Sequence, residues 1–147
     1  MKSVANILKS KPDQTVYKIA PGVSVYDALR LMADKNIGAL LVAEDDKIVG
    51  IFTERDYARK VVLMERSSKQ TAVREIMTSS VIYVRPDQTN EECMALMTDN
   101  RLRHLPVIDN GRLLGLVSIG DLVKDIISEQ QFIIEQLQHY IQGHHRA

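Results

Sequence analysis

The sequence contains very little cysteine, few aromatic residues and no excess of either charge. Its 147 residues include one cysteine, no tryptophan and 5% aromatic residues. A single thiol excludes an internal disulfide and is typical of a protein of the reducing cytoplasm. Nineteen basic residues balance nineteen acidic ones, so net charge provides no attraction to nucleic acid or to an anionic membrane. We therefore expect a cytoplasmic protein that has neither of these as its main partner.

Long apolar runs and the short motifs of catalysis are also missing. No run approaches the ~20 apolar residues that a helix needs to span a bilayer, and residues 1–9 lack the apolar core of a signal peptide. The sequence has no phosphate-binding Gly-Lys-Ser/Thr loop, no Gly-x-Ser-x-Gly, and no cysteine or histidine cluster beyond His139, His144 and His145 near its end. We predict no catalytic residue, no catalytic cofactor and no metal site. Cys93 is predicted to be a core residue.

The chain does contain an internal repeat. The string Gly50-Ile-Phe-Thr53-Glu-Arg-Asp56 returns 65 positions later as Gly115-Leu-Val-Ser118-Ile-Gly-Asp121. Other identities at the same offset are Pro21 and Pro86, Met32 and Met97, Leu40 and Leu105, and Val42 and Val107. A repeated unit buries its apolar face against the other copy, so the sequence predicts two packed units related by a pseudo-two-fold axis.

Hydrophobic periodicity predicts the order strand, helix, strand, strand, helix in each unit, which is an α/β (α+β) fold. The first unit is predicted to have strands at 16–19, 39–42 and 48–52, and helices from 24 to 36 and from 54 to 64. The second is predicted to have strands at 81–84, 105–108 and 113–117, a helix from 89, an Asn-Gly hairpin at 110–111, and a long helix from 118. Capping boxes are predicted at the helix starts that follow Ser24 and Thr89.

The predicted boundaries divide the chain into three parts. Residues 1–65 form the first repeat with an N-terminal lead-in, and residues 71–128 form the second repeat with a lead-in helix at 71–77. Residues 129–147 form the end of a C-terminal helix and a polar tail. Apolar residues of this helix extend past the second repeat, which favours a homodimer.

These paired units resemble a tandem pair of CBS domains, known as a Bateman module, over about residues 1–128. The resemblance is carried by the Gly50–Asp56 and Gly115–Asp121 strings and by Arg74-Glu-Ile-Met-Thr78, Val84-Arg-Pro-Asp87 and Arg103-His-Leu-Pro-Val107. It implies β-α-β-β-α units whose clefts bind an adenosine ligand, with AMP favoured and ATP, ADP, NAD or S-adenosylmethionine as alternatives. It also implies a regulatory sensor that acts on an effector protein without catalysis.

The resemblance also implies which residues meet the ligand. Asp56 and Asp121 would accept hydrogen bonds from ribose hydroxyls, helped by Thr53 and Ser118 at the starts of the same helices. The adenine base would lie against Tyr17 and Ile19 in one unit and Ile82 and Val84 in the other. Arg55, Arg103 and His104 would meet phosphate, the last two reaching the ligand that Asp56 holds. Gly38, Ala39 and Pro106 complete the predicted binding residues, and the first two bring no charge to the Asp121 site.

The same residues have a second interpretation. A hydroxyl followed three positions later by an aspartate is also a helix capping box, whose cap contributes about 1 kcal/mol. The module could then be structural or bind other proteins through degenerate clefts. Retention of the hydroxyl and the aspartate in both repeats favours ligand binding.

Overall fold

A computed structural model describes residues 2–12 and 14–145, with side chains as far as Gln142. Asp13 of the predicted loop and Arg146 and Ala147 of the predicted tail lie outside the described residues, as do the side chains of His144 and His145. The α-helices are α1 (Val4–Ser10), α2 (Val25–Lys35), α3 (Glu54–Tyr57), α4 (Asn90–Asn100) and α5 (Ile119–His145), and the predicted lead-in helix over 71–77 is a 3-10 helix over Val73–Glu75. The strands are β1 (Lys18–Ile19), β2 (Ala39–Glu44), β3 (Lys47–Thr53), β4 (His104–Asp109) and β5 (Arg112–Ser118).

The chain forms two compact units, and the segments that make up each unit differ from those of the predicted division. The first-repeat unit consists of Thr15–Ile82, and the second-repeat unit combines Met1–Gln14 with Tyr83–Ala147. The N-terminal segment therefore packs with the second repeat: the Val4 N–H donates to Gln88 O at 2.8 Å, and the Ala5 N–H donates to Pro86 O at 3.0 Å. The segment between the repeats packs with the first one instead.

The first-repeat unit is built on a three-stranded sheet. Strand β2 lies in the centre, parallel to β1 and antiparallel to β3. Its first four residues, 39–42, are buried, as predicted for a strand covered on both faces. The core also includes the α2 side chains Val25, Ala28 and Met32 together with Phe52 of β3. The edge of β3 is extended by Thr78, which exchanges backbone hydrogen bonds of 3.0 and 2.9 Å with Ile51.

The second-repeat unit repeats this hairpin but not the first strand. Strands β4 and β5 are antiparallel, and their pairing shifts between Val107 and Ile108 as that of β2 shifts between Val42 and Ala43. Val84 forms a single parallel bridge with Val107, so the prediction of a strand over 81–84 is wrong before Val84. Proline is the cause, because Pro106 has no N–H to donate at the position where Leu41 donates to Tyr17 O.

The turns and helix ends of the two repeats are also similar. Both hairpins have two central residues with positive φ, Asp45-Asp46 and Asn110-Gly111, which fits a type I′ turn. The αL position after α2 is Asn36, and its equivalent after α4 is Arg101. The predicted helix from 54 to 64 is α-helical only to Tyr57. It continues as a π-helix over Ala58–Val62, where the Leu63 N–H bonds to Ala58 O.

The last helix, α5, begins after Ser118 and continues through Gly143 to His145. Leu122 is fully buried in the second-repeat unit, whereas Ile133, Leu137 and Ile141 further along are more than half exposed. Within the described residues, no helix combines the length and the apolarity needed to cross a membrane.

Cys93 is confirmed as a core residue on α4, where it is fully buried. Burial is the main cause that raises the pKa of its thiol to about 11, and the nearby charge of Glu92 adds to the rise. The thiol therefore stays protonated at neutral pH, and a protonated thiol is a poor nucleophile.

Both copies have a buried glycine in the second strand of the hairpin, and close packing of the lead-in segments explains it. A Cβ atom at Gly50 would lie 2.5 Å from Met77 Sδ and 3.0 Å from Thr78 O. At Gly115 it would lie 2.8 Å from a methyl group of Leu8. In each unit, a lead-in segment thus contacts a strand at a distance that only glycine permits.

We expect Gly50→Ala to lower the free energy of unfolding by about 1–3 kcal/mol, because both the sulfur and a backbone oxygen must move. Gly22→Ala is the matched control, since its nearest contact, Arg74 Nη1 at 3.5 Å, is an ordinary one. The control should stay within about 0.5 kcal/mol of wild type. Urea denaturation of the three proteins measures this difference, and equal stabilities would contradict the packing explanation.

Candidate functional site

Each hairpin's second strand ends at a hydroxyl that starts a helix, and an aspartate lies three residues later. In the first-repeat unit, the Asp56 N–H donates to Thr53 Oγ1 at 3.2 Å. Asp56 Oδ2 in turn accepts from the Thr53 N–H at 3.0 Å and from the Thr53 hydroxyl at 3.1 Å. These reciprocal bonds are the predicted capping box, and they fix the carboxylate at the helix start.

The other carboxylate oxygen of Asp56 also has polar partners. Asp56 Oδ1 accepts from Thr78 Oγ1 at 3.3 Å and forms an ion pair with Lys60 Nζ at 3.2 Å. The same ammonium group donates to Ile76 O at 3.1 Å. Only 10% of the Asp56 side chain is exposed. A ribose hydroxyl could reach Oδ1 only by displacing Lys60 or Thr78.

The second-repeat unit has a more open version of the same arrangement. The Asp121 N–H donates to Ser118 Oγ at 3.2 Å, and Asp121 Oδ2 accepts from the Ser118 N–H at 2.8 Å. Lys11 Nζ lies 3.0 Å from Oδ2, and 21% of the Asp121 side chain is exposed. Among the described residues, these contacts of the carboxylate all fall on Oδ2. Oδ1 is therefore the oxygen that a ligand hydroxyl would meet.

His104 lies beside this second aspartate, since it pairs with Ser118 across the β4–β5 ladder. Burial is the main cause that lowers the pKa of its imidazole. The charge of Asp121 opposes this effect, and the charges of Lys11 and Arg103 add to it. His104 is therefore largely neutral near pH 7, so it offers a hydrogen-bonding ring rather than a full positive charge.

The predicted base-binding residues have mixed exposure. Tyr17 and Ile19 are half-buried and pack against the core of the first-repeat unit, and Lys35 Nζ lies 5.6 Å from the centre of the Tyr17 ring. Val84 and Pro106 are buried, and the Val84 N–H donates to Pro106 O at 2.9 Å. Ile82 is half-buried at the end of the first-repeat unit.

The remaining predicted residues lie where the strands meet the helices. Gly38 O accepts from the Glu54 N–H at 3.2 Å, and buried Ala39 pairs with Thr53 in the sheet. Arg55 and Arg103 are exposed, and the Arg103 carbonyl accepts from the Ile119 N–H at 2.9 Å. The reach of Arg103 and His104 to a ligand on Asp56 would join the two units and stays a prediction.

Sequence reasoning missed three polar partners of the aspartates: Lys60, Thr78 and Lys11. Lys60 carried a usable signal, because it lies four positions after Asp56, the spacing at which helix side chains meet. Lys11 and Thr78 carried none, since each belongs to a lead-in segment whose packing is decided by the tertiary fold. The Asp121 site thus has a positive charge that the repeat comparison did not predict.

Two further features lie away from the aspartates. A cavity of about 550 Å³ in the first-repeat unit opens at the far end of β2, lined by Pro21, Gly22, Glu44, Asp45 and Arg74 among others, and none of the predicted binding residues lines it. Within the described residues, no group of three or more histidine, cysteine or acidic side chains is placed to hold a metal ion.

Comparison with known proteins agrees with this architecture. The family model of the CBS domain matches residues 4–63 and 73–128, so the chain belongs to the CBS-domain family as a tandem pair. A mitochondrial CBS domain-containing protein of Arabidopsis thaliana, CBSX3, is 41% identical over 96% of this chain and 72% of its own length.

Solved structures are similar too. One is a candidate signal-transduction protein with CBS domains from Burkholderia ambifaria MC40-6, with a TM-score of 0.85 and 62% identity over 88% of this chain and 96% of that one. Another is the CBS domain pair of protein MJ0100, solved with 5′-methylthioadenosine and S-adenosylmethionine. Its TM-score is 0.75, with 26% identity over 87% of this chain and 98% of that one.

The surroundings of His104 predict a pH dependence of stability. The unfolded chain binds a proton on this residue more readily than the folded chain does. Its stabilising contribution is therefore present above the ordinary pKa of ~6.5 and is lost as the pH falls from there toward the lower folded pKa. We expect His104→Gln to reduce the loss of stability between about pH 7 and pH 5.

Urea denaturation across that range measures the effect, with His139→Gln, which replaces an exposed histidine on α5, as the control. The control should keep the wild-type pH dependence. If the stability of the His104→Gln protein depends on pH as steeply as that of wild type, protonation of His104 does not destabilise the fold.

Proposed function

We propose that this protein is a regulatory module that binds an adenosine-containing ligand, AMP before ATP, ADP, NAD or S-adenosylmethionine, and signals its occupancy to an effector protein in trans. It would do so without catalysis, and a cytoplasmic location remains part of the proposal. The observation that carries it is the pair of carboxylates, Asp56 and Asp121, each fixed at a helix start because it accepts the backbone N–H of the Thr or Ser three residues earlier.

The chemistry of the two helix starts suits a nucleoside. A carboxylate is the acceptor that a ribose diol needs, and the unpaired N–H groups of a helix start favour a nearby anion. Capping does not exclude this role. The capping bond to the Asp121 carboxylate uses Oδ2, so Oδ1 could accept from the ligand. An adenosine ligand bound to the similar MJ0100 domain pair supports the ligand class.

A thermal-shift panel with AMP, ADP, ATP, NAD and S-adenosylmethionine tests the proposal. A ligand at 100 times its dissociation constant should stabilise the protein by about 2.7 kcal/mol, which is readily detected. If no ligand shifts the transition, the structural or protein-binding alternative is favoured instead.

Calorimetry on aspartate variants assigns the sites. We expect Asp56→Ala and Asp121→Ala each to remove one binding event, because each deletes the acceptor for one ribose. The matched controls are Asp34→Ala and Asp99→Ala, which remove exposed carboxylates at equivalent positions of the two repeats. The controls should keep the wild-type stoichiometry. An unchanged stoichiometry in both site variants would contradict the ribose assignment, provided that circular dichroism shows them folded.

We also propose that the protein is a homodimer joined through α5. Large apolar side chains on one side of this helix remain half or more exposed: Ile127, Ile133, Ile134, Leu137, Tyr140 and Ile141. Together they form an exposed apolar surface that a second copy could bury, as each partner of a standard interface buries ~800 Å². Residues 125–145 contain no lysine or arginine, so this surface suits a second neutral copy better than an anionic membrane.

Leu137→Glu should convert the dimer to a monomer, because it places a charge in the centre of the apolar side of α5. Gln142→Glu adds the same charge on the opposite side and should leave the dimer intact. Light scattering after size-exclusion chromatography measures the mass. A dimer that survives both Leu137→Glu and truncation after Ser128 would place the interface outside α5.

A further inference from the structure

Lys11 is held beside the candidate ribose acceptor of the second repeat by two contacts. Its ammonium nitrogen lies 3.0 Å from Asp121 Oδ2 and donates to the backbone oxygen of Leu116 at 2.8 Å. Only 25% of the Lys11 side chain is exposed. The backbone contact matters because it keeps the ammonium group in place by a bond that does not depend on the carboxylate.

The arrangement leaves donor and acceptor capacity for a ligand. A lysine ammonium has three N–H donors, and the two contacts above use two of them. Asp121 Oδ2 pairs with the Lys11 ammonium group and accepts from the Ser118 N–H. Among the described residues, Oδ1 takes neither contact, so it could accept a hydrogen bond from a ribose hydroxyl. A ligand could thus meet Oδ1 with its sugar and the third N–H of Lys11 with an anionic group, without breaking an existing contact.

His104 at this site and Lys60 at the first-repeat site are less suitable than Lys11 as the positive charge that meets a ligand anion. Burial lowers the pKa of His104, so its imidazole is largely neutral near pH 7. At the first-repeat site, Lys60 pairs with the carboxylate oxygen that a ribose would need, and the Thr78 hydroxyl donates to the same atom. The cation at Asp56 therefore competes with the sugar, whereas the cation at Asp121 does not.

We infer that Lys11 is the specificity-determining residue of the Ser118–Asp121 site, which it makes selective for anionic adenosine ligands such as a nucleoside monophosphate. Neutral adenosine gains nothing from the ammonium group, and the sulfonium of S-adenosylmethionine is repelled by it. This inference rests on the proposed adenosine-binding function, and it assigns the phosphate contact to the N-terminal lead-in segment.

The test compares AMP with adenosine by calorimetry on the full chain. Lys11→Met should weaken AMP binding at this site by about tenfold or more, the size expected for one charged hydrogen bond, and should change adenosine binding less than threefold. Lys11→Arg should restore most of the preference for AMP. Lys9→Met is the matched control, because it removes the same charge from an exposed position on α1. It should keep the wild-type ratio of the two affinities.

Several results would overturn the inference. An unchanged AMP-to-adenosine ratio in Lys11→Met would show that Lys11 does not meet the anion. Equal weakening of both ligands would show that it acts through folding. If Asp121→Ala leaves AMP binding unchanged, the site itself is misassigned, although the proposed function survives at Asp56. If the wild-type protein binds neither ligand nor any other member of the thermal-shift panel, the proposed function fails together with the inference.

Discussion

The reciprocal hydrogen bonds between a threonine or serine residue and the aspartate three residues later hold the strand-to-helix junction in both repeats. The bonds cap the helix, and they also fix a carboxylate where a strand ends and a helix begins. In Asp121, the capping bond and the ion pair with Lys11 both use Oδ2. Stability and the proposed ligand binding therefore depend on the same two side chains, so a variant that removes the carboxylate must be checked for folding before its loss of binding is interpreted.

The lead-in segments give the two junctions different surroundings. Lys60 and Thr78 bond to Asp56 Oδ1, whereas Lys11 reaches Asp121 Oδ2 from the N-terminal segment. The first arrangement occupies Oδ1 of Asp56, whereas among the described residues the contacts of the Asp121 carboxylate fall on Oδ2. The family resemblance placed Arg103 and His104 at the ligand of Asp56 and predicted no charge from Gly38 and Ala39 at the Asp121 site. The contacts made by the lysines instead favour the second site as the one prepared for a ligand.

The repeat is most regular where the backbone alone decides the structure. Both hairpins share a type I′ turn, a shift in pairing at the same point and a buried glycine under a lead-in segment. It is least regular where one side chain changes the backbone chemistry. Pro106 cannot donate the bond that Leu41 donates, so the first strand of the second repeat is reduced to a bridge at Val84.

The sequence by itself determined the repeat, the order of most elements, the helix caps and the two candidate aspartates. These features depend on local patterns, namely periodicity, turn residues and hydroxyl–carboxylate spacing, which are readable along the chain. Only the tertiary structure decided that the N-terminal segment joins the second repeat and that Lys11 meets Asp121. Those contacts join residues far apart in the chain, and the N-terminal segment packs closely against Gly115, which no local pattern encodes.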